Sequence, residues 1–306
     1  GAGNVERGRA LEGDQDDAAE RVAAGSGGSR HALLPEAPRV AAGAAGRILQ
    51  LSVLAANQGW REDAGMQIAI VVYPGMTALD ALGPYEVLHG LPGASLRFVW
   101  KEVGPIVADS GVLAIGATHT FAETPRPDVL LVPGSAGHTA RMMADRDLTG
   151  WLRAAHATTR FTTSVCSGSL ILAAAGLLEG LPATSHWAGL PLLPRFGAEP
   201  RPRERMVRVG KVWTAAGVSA GIDLALALAA ELTDETRARA IQLMIEYDPQ
   251  PPFDSGHMSK ASPEVQALAK AEMRRLALSA GEAAALPQAL VARWVDVLRR
   301  KVRGER

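Results

Sequence analysis

The sequence predicts an α/β fold built on a single doubly wound, mostly parallel sheet flanked by helices. From residue 66 onward, short apolar runs rich in β-branched residues alternate with segments of helical periodicity. This alternation is typical of a parallel sheet covered on both faces. One apolar run leads directly into a cysteine and then into a helical segment, which predicts a nucleophile elbow.

The predicted strands are short and apolar, and most are bounded by Pro or Gly. They lie at residues 67–73, 96–103, 112–115, 128–132, 160–165, 204–209 and 211–215, the last two forming a hairpin that turns at Gly210. The predicted helices lie at residues 79–89, 148–157, 168–178, 220–232, 234–247 and, after a polar linker, within 264–301. Thr233 is placed to cap the helix that begins at residue 234.

The first 65 residues differ in composition from the rest of the chain. They are rich in Gly, Ala, Arg and Asp and show no sustained apolar period, so we expect residues 1–65 to form a disordered N-terminal extension. The first methionine is Met66, directly before the first predicted strand, and a misassigned start is one explanation of the extension. We expect a catalytic domain over residues 66–253, then a linker and a C-terminal helical segment over residues 254–306.

Composition and charge exclude several classes of protein. The 32 basic and 32 acidic residues cancel, which argues against a nucleic-acid-binding protein. The longest apolar stretch, residues 170–178, is far shorter than the roughly 20 residues of a membrane-spanning helix. The single cysteine excludes an intrachain disulfide, and the histidines show no metal-ligand spacing. We therefore expect a cytoplasmic protein with no metal, no nucleic-acid partner and no membrane partner.

Cys166 lies where a predicted strand ends and a predicted helix begins, in the run FTTSVCSGSLILAAAGLLEG. Such a turn projects its side chain at the carboxyl edge of the sheet, where ligands bind in open α/β folds. Ser167, Gly168 and Ser169 permit a tight turn, and we expect the helix N-terminus to lower the pKa of the thiol. The alternative is a buried, inert cysteine, but the flanking small residues favour a reactive nucleophile.

Asp80 is the candidate acid. It lies among apolar residues near the start of the predicted helix 79–89, where a carboxylate is costly unless it is hydrogen-bonded or protonated. The local sequence supports two interpretations equally. Asp80 is either an acid near the thiol that transfers a proton, or an N-cap or surface residue of the helix.

Two further segments carry candidate binding residues. Gly134 and Ser135 follow a buried strand, where backbone N–H groups could form an oxyanion cradle, although this motif is weak by itself. His186 and Trp187 follow the cysteine helix. A nearby histidine commonly activates a catalytic thiol, but a packed histidine with one satisfied nitrogen is at least as well supported here. Trp187 is either the wall of an apolar pocket or a core residue.

Together these motifs resemble the ThiJ/PfpI branch of the class I glutamine-amidotransferase-like superfamily, which has a flavodoxin-like sheet. Within that branch they resemble the isonitrile hydratases, also called isocyanide hydratases. The resemblance runs from Met66 to the C-terminal helices and rests on several segments in the same order: YPGMTALDALGPYEVL, RFVWKEVGPIVADSG, VLLVPGS, TSVCSGSLILAAAGLLEG, ATSHW, AGVSAGIDLALALAAEL and IEYDPQPPF.

The resemblance implies a role for particular residues. The family's nucleophile falls on Cys166 and its catalytic acid on Asp80. Ser167 stands where isonitrile hydratases often have threonine and keeps a hydroxyl for a polar role, whereas PfpI-type proteases usually have histidine there. The glycine-rich segment that faces the cysteine falls on Gly217 and Val218, and the family's Pro-Gly-Gly turn is Pro-Gly-Ser here.

The implied reaction is hydration of a small-molecule isocyanide to an N-substituted formamide. The resemblance implies a Cys166 thioimidate intermediate, Asp80 as the acid, no cofactor, and a homodimer.

Two alternative functions are open for this sequence. One is a ligand-sensing domain resembling those of AraC-type transcription regulators. That resemblance implies an additional DNA-binding region of roughly 100 residues. Only 54 residues follow Pro252 and the net charge is zero, so we expect no such region. The other is a glyoxalase or deglycase of the same superfamily. These enzymes commonly have Glu in place of Asp80 and often pair the cysteine with a histidine.

Overall fold

A computed structural model of the chain describes residues 65–279 and 282–303. The predicted extension, residues 1–65, lies outside this range except for its last residue, and the domain boundary at residue 253 stays a prediction. The strands are β1 (Met66–Val71), β2 (Ala94–Trp100), β3 (Gly104–Val107), β4 (Ala114–Ala117), β5 (His119–Thr120), β6 (Val129–Val132), β7 (Phe161–Ser164), β8 (Pro182–Ala183), β9 (Glu199–Pro200), β10 (Met206–Val209) and β11 (Val212–Ala215).

Seven of these strands form the central sheet, in the order β10-β11-β7-β6-β1-β2-β5. Every neighbouring pair is parallel except β10 and β11, which form an antiparallel hairpin at one edge. The prediction of a mostly parallel sheet is confirmed. Because β11, β7, β6 and β1 are adjacent and parallel, the loops that follow them meet at one edge of the sheet.

Eight α-helices are described: α1 (Ala78–Leu88), α2 (Thr139–Ala144), α3 (Arg146–Thr158), α4 (Gly168–Ala174), α5 (Ala220–Leu232), α6 (Glu235–Met244), α7 (Pro263–Ser279) and α8 (Glu282–Arg303). Helix α1 packs on α5 and α5 on α6, whereas α2 packs on α4 and α8, so the helices form two groups. None of the helices over the described ranges combines the length and apolar composition that a bilayer-spanning helix needs.

The core is centred on strands that are buried on both faces. All four residues of β6, from Val129 to Val132, are completely inaccessible to solvent, as are Ile68 to Val71 in β1. Burying one Val, Leu or Ile side chain contributes about 1.5–3 kcal/mol relative to leaving it exposed. These two central strands therefore anchor the loops that carry the site.

The structure differs from the sequence prediction at several short elements. The run predicted as a strand at 112–115 is displaced to β4, and Val112 is 91% exposed because it lies in the preceding turn. Strands β3 and β5 and helix α2 were not predicted, since each has six residues or fewer and no clear period. The capping prediction for Thr233 is wrong. Asp234 accepts a hydrogen bond from Arg237 N at 2.9 Å and caps α6, while Thr233 bonds back to α5.

Candidate active site

Cys166 forms a sharp turn between β7 and α4. Its φ angle is +59°, and Glu246 is the other non-glycine residue with a positive φ among the described residues. Such a conformation costs about 1–3 kcal/mol and is found mainly where the surrounding structure enforces it. The Cys166 N–H donates to the carbonyls of Ala215 and Ala216 at 3.2 and 2.7 Å, so the end of β11 holds the turn in place.

Gly168 makes this turn possible. A Cβ atom at this position would lie 2.1 Å from the carbonyl oxygen of Val132 and 2.9 Å from the carbonyl carbon of Pro133. Both are backbone atoms at the end of β6 and cannot move aside without shifting the sheet. Close packing of α4 on this strand end therefore requires glycine, and the turn predicted from the small residues after Cys166 is the one observed.

Asp80 lies in the first turn of α1 and is completely buried. Its Oδ2 accepts a hydrogen bond from the Gly134 N–H at 2.8 Å, and its Oδ1 has no hydrogen-bond partner among the described residues. Thr77 occupies the N-cap position. The N-cap and surface-residue interpretations are therefore excluded, and the carboxyl faces the interior beside the cysteine turn.

Burial controls the protonation of this carboxyl. Desolvation raises the pKa of Asp80 from 3.8 to about 7, against the opposing effects of the Gly134 hydrogen bond and of a hydrogen-bonding interaction with the Cys166 thiol. Asp80 Oδ1 has no hydrogen bond of ordinary geometry among the described residues, but the carboxyl and the thiol are close enough that each shifts the pKa of the other. They form a coupled acidic pair.

The Cys166 thiol is more basic than an ordinary cysteine. Only 5% of the residue is exposed, and burial raises the pKa of the thiol well above its usual value, with the charge of Asp80 adding to the effect and the Ser167 hydrogen bonds opposing it. The expectation that the helix N-terminus lowers this pKa is wrong. Desolvation and the adjacent carboxylate outweigh the dipole of α4, which is only seven residues long.

The hydroxyl of Ser167 ties the cysteine turn to the loop after β6. Its Oγ accepts a hydrogen bond from Ser135 N at 3.0 Å, lies 2.7 Å from Thr139 Oγ1, and contacts the carbonyl of Ser135 at 3.1 Å. Ser135 in turn donates from its own hydroxyl to the carbonyl of Gly75. Ser167 thus has the polar role expected of a hydroxyl at this position. Thr139, which completes the network, was missed because no sequence signal marks it.

The predicted oxyanion cradle is not free in this structure. The Gly134 N–H donates to Asp80 and the Ser135 N–H donates to Ser167. Gly134 is instead required for close packing, because a Cβ there would lie 2.5 Å from both the backbone nitrogen and the hydroxyl of Ser167, and 3.0 Å from the Cβ of Cys166. The Pro-Gly-Ser turn therefore positions the acid and the cysteine turn rather than presenting open donors.

His186 and Trp187 lie in one wall of a cavity in front of Cys166. Their rings are 4.9 Å apart and tilted by 42°. Burial lowers the pKa of His186, so its ring is neutral near pH 7, and no hydrogen bond joins it to Cys166 among the described residues. A Cβ at Gly217 would lie 3.0 Å from the ring of His186, so this glycine gives the histidine its space, while Val218 lines the cavity. These contacts favour the packed-histidine interpretation.

The cavity has a volume of about 630 Å³, within the range of small-molecule sites. Its walls are mostly apolar and include Leu170, Trp187, Leu192 and Val218, together with the hydroxyl-bearing Thr139 and Ser167. Within the described part of the chain, no group of three or more His, Cys, Asp or Glu side chains is placed to hold a metal ion. The site therefore offers a thiol, a buried acid and an apolar enclosure.

A cysteine on a strand-to-helix turn, beside a buried acid at the carboxyl edge of a parallel sheet, defines the class of α/β proteins that use a nucleophile elbow. The chain belongs to the DJ-1/PfpI family, which matches residues 66–231.

Three individual proteins show what the chain is similar to within and around this family. The chain is 46% identical over 191 residues to an isonitrile hydratase from Pseudomonas putida, a match that covers 62% of this chain and 82% of that enzyme. It is similar to the crystal structure of a ThiJ/PfpI family protein from Pseudomonas syringae, with a TM-score of 0.67, 41% identity, and coverage of 74% of this chain and 90% of that one. It is also 30% identical over 178 residues to the HTH-type transcriptional regulator GlxA of Rhizobium meliloti, covering 54% of this chain and 52% of the regulator.

Proposed function

We propose that this protein hydrates an isocyanide, R–N≡C, to the N-substituted formamide R–NH–CHO. The observation that carries the proposal is the coupled pair of the Cys166 thiol and the fully buried Asp80 carboxyl behind an apolar cavity. The 46% identity to an isonitrile hydratase supports the choice of substrate class. An isocyanide carbon needs a nucleophile and a proton in turn, and this pair can supply both.

The first step joins the sulfur to the terminal carbon. The Cys166–Asp80 pair holds one proton above about pH 7, because the carboxyl titrates there and the thiol pKa is raised well above its usual value. When that proton resides on Asp80, the thiolate attacks the isocyanide carbon. One C–N π pair moves to the nitrogen, and the carbon keeps its own lone pair as an imidoyl anion. Asp80 then donates its proton to this carbon, giving the thioimidate R–N=CH–S–Cys166 and a carboxylate.

The second step adds water and releases the cysteine. The Asp80 carboxylate accepts a proton from water as the oxygen adds to the thioimidate carbon, and Asp80 then passes that proton to the imine nitrogen. The C–S bond of the tetrahedral adduct then breaks, the sulfur leaves as thiolate, and the Asp80 carboxylate accepts the proton of the adduct hydroxyl to give the formamide. The pair returns to its one-proton state, so water and isocyanide are fully accounted for.

The polar network around Ser167 is proposed to position this pair. Ser167 and Ser135 connect the cysteine turn to the loop whose Gly134 N–H holds Oδ2 of Asp80. That hydrogen bond fixes one carboxyl oxygen and leaves Oδ1 to carry the transferable proton. Trp187 and Val218 are proposed to enclose the substituent of the isocyanide.

A ligand-sensing role is the second candidate, and the similarity to an HTH-type transcriptional regulator is the observation behind it. A sensor needs the cavity but gains nothing from a buried carboxyl whose pKa is near neutrality, since burying such a group lowers stability. The geometry therefore favours catalysis.

Homodimer formation and a cytoplasmic location remain part of the proposal, and the single cysteine is compatible with a reducing compartment.

The test is a side-by-side assay of the purified full chain with cyclohexyl isocyanide, methylglyoxal and a peptide. We expect formamide production from the isocyanide alone, and its loss in Cys166→Ala. Turnover of methylglyoxal without turnover of the isocyanide would assign the site to the glyoxalase or deglycase group instead. Saturable isocyanide binding with no product from any compound would support the sensor.

A further inference from the structure

The cavity in front of Cys166 extends to a segment that lies beyond the family match. That match ends at residue 231, whereas Met258 and several residues of α7 also line the cavity. Lys270, Met273, Arg274 and Ala277 are the residues of α7 that do so. Their spacing of three, one and three residues places them on one face of the helix, so α7 presents a continuous strip to the cavity.

This strip makes the α7 side of the cavity positively charged. Lys270 and Arg274 are the charged residues among the described residues that line it, and no Asp or Glu is among that lining. Cys166 also lines the cavity, and its pair with Asp80 carries one negative charge above about pH 7, which the two cations exceed. His186, another ionisable residue of the lining, has a lowered pKa and is neutral near pH 7.

Neither cation has an ionic partner within the described ranges. Lys270 Nζ is 3.5 Å from the amide oxygen of Gln266, and Arg274 Nε donates to the backbone carbonyl of Lys270 at 3.1 Å. The neighbouring Arg275, which is not among the residues lining the cavity, pairs with Glu272 at 2.9 Å. Two like charges four residues apart on a helix repel each other unless an anion lies between them.

Resting on the proposed function, we propose that the isocyanide substrate carries a carboxylate, which Lys270 and Arg274 bind at the end of the cavity formed by α7. The isocyano group then lies at Cys166 and the apolar middle of the substrate lies between Leu170, Trp187 and Met273. The volume of about 630 Å³ accommodates a molecule that reaches both ends. The substrate class is therefore an isocyano acid rather than a neutral isocyanide.

The test compares para-isocyanobenzoate with its methyl ester, which differs in charge. Because the two also differ in electron withdrawal, the informative quantity is the ratio of their kcat/KM values and its change on substitution. We expect Lys270→Gln combined with Arg274→Gln to lower the acid-to-ester ratio about three- to tenfold, mainly by raising KM for the acid. This is the effect expected when the substrate carboxylate loses two partly exposed ion pairs, one with each cation. Arg275→Gln is the matched control on the same helix and is expected to keep the wild-type ratio.

An unchanged ratio in the double variant would overturn the inference, while leaving the proposed hydration intact. If no isocyanide is hydrated, the proposed function is wrong, and the cationic site is tested by calorimetry with para-formamidobenzoate and its methyl ester. Tighter binding of the acid, lost in the double variant, would support the site. Equal binding of acid and ester would refute it.

Discussion

Replacing Asp80 with asparagine separates a catalytic acid from a structural residue, because the two roles predict opposite effects on stability. The side chain is completely buried, and Oδ2 accepts from Gly134 N at 2.8 Å. An asparagine oxygen can keep this hydrogen bond, and its NH₂ group can occupy the place of the unpaired Oδ1. The substitution therefore removes the ionisable proton while preserving size and the main contact.

The stability effect follows from the pKa of Asp80. Because the pKa is raised from 3.8 in the unfolded chain to about 7 in the folded protein, ionisation of the carboxyl disfavours folding. This effect is absent below about pH 4, grows as the pH rises, and reaches about 4 kcal/mol above pH 7. Asp80→Asn should relieve it. The free energy of unfolding of the variant minus that of wild type should therefore grow by about 2–3 kcal/mol from about pH 5 to about pH 8.

Activity should change in the opposite direction. A transferred proton typically contributes about 10²–10⁴-fold to the rate, so turnover of Asp80→Asn per folded molecule should fall by a factor in that range. Asp80→Glu is the companion variant, since it keeps the proton but displaces it within a close-packed site. Urea unfolding at the two pH values and isocyanide turnover would be measured on the same preparations. Near-normal turnover in Asp80→Asn, with a stability difference that does not depend on pH, would refute the assignment and make His186 the next candidate.

The remaining predictions concern the nucleophile, the pH profile and the turn. Cys166→Ala should fold normally and lose isocyanide turnover, and mass spectrometry of wild type with a slow substrate should show an adduct on Cys166; full activity in the variant would contradict the mechanism. Wild-type kcat/KM should rise as the pH passes about 7 and then remain level, because ionisation of the pair creates the reactive form and the raised thiol pKa preserves it; a profile that falls above pH 7 would contradict this assignment. Gly168→Ala should destabilise the protein by about 3 kcal/mol or more in thermal unfolding, since its Cβ would overlap the Val132 carbonyl. Gly150→Ala, with open space around the Cβ position, should instead stabilise the protein by about 0.5–1 kcal/mol. Equal effects of the two substitutions would show that the turn can relax.

The sequence predicts the catalytic edge of the sheet well because that edge depends on local patterns. A buried strand followed by Cys166 and small residues is a local signal, and the helix Ala220–Leu232 has the predicted bounds because its apolar period is long and uninterrupted. The placement of Asp80 was ambiguous in the sequence. Its resolution needed the contact with Gly134, which is 54 residues away along the chain.

What the sequence could not predict depends on packing between distant segments. The thiol pKa of Cys166 reflects burial and the Asp80 charge, neither of which is visible in the run around the cysteine. The contribution of α7 to the cavity is likewise a tertiary contact, and Lys270 and Arg274 look like ordinary surface charges in the sequence. Local periodicity identifies elements, but the electrostatics of a site arises from the elements that meet there.

The sheet order also has a consequence for the folding of this protein. Asp80, Gly134, Cys166 and Ala216 follow four different strands, which become neighbours only when β1, β6, β7 and β11 have all paired in parallel. Each of those pairings joins segments that are far apart in the chain, and such contacts form slowly because of the entropy lost on closing long loops. During refolding, the helical circular dichroism signal should therefore recover before enzymatic turnover does, and turnover then serves as a probe for completion of the central sheet.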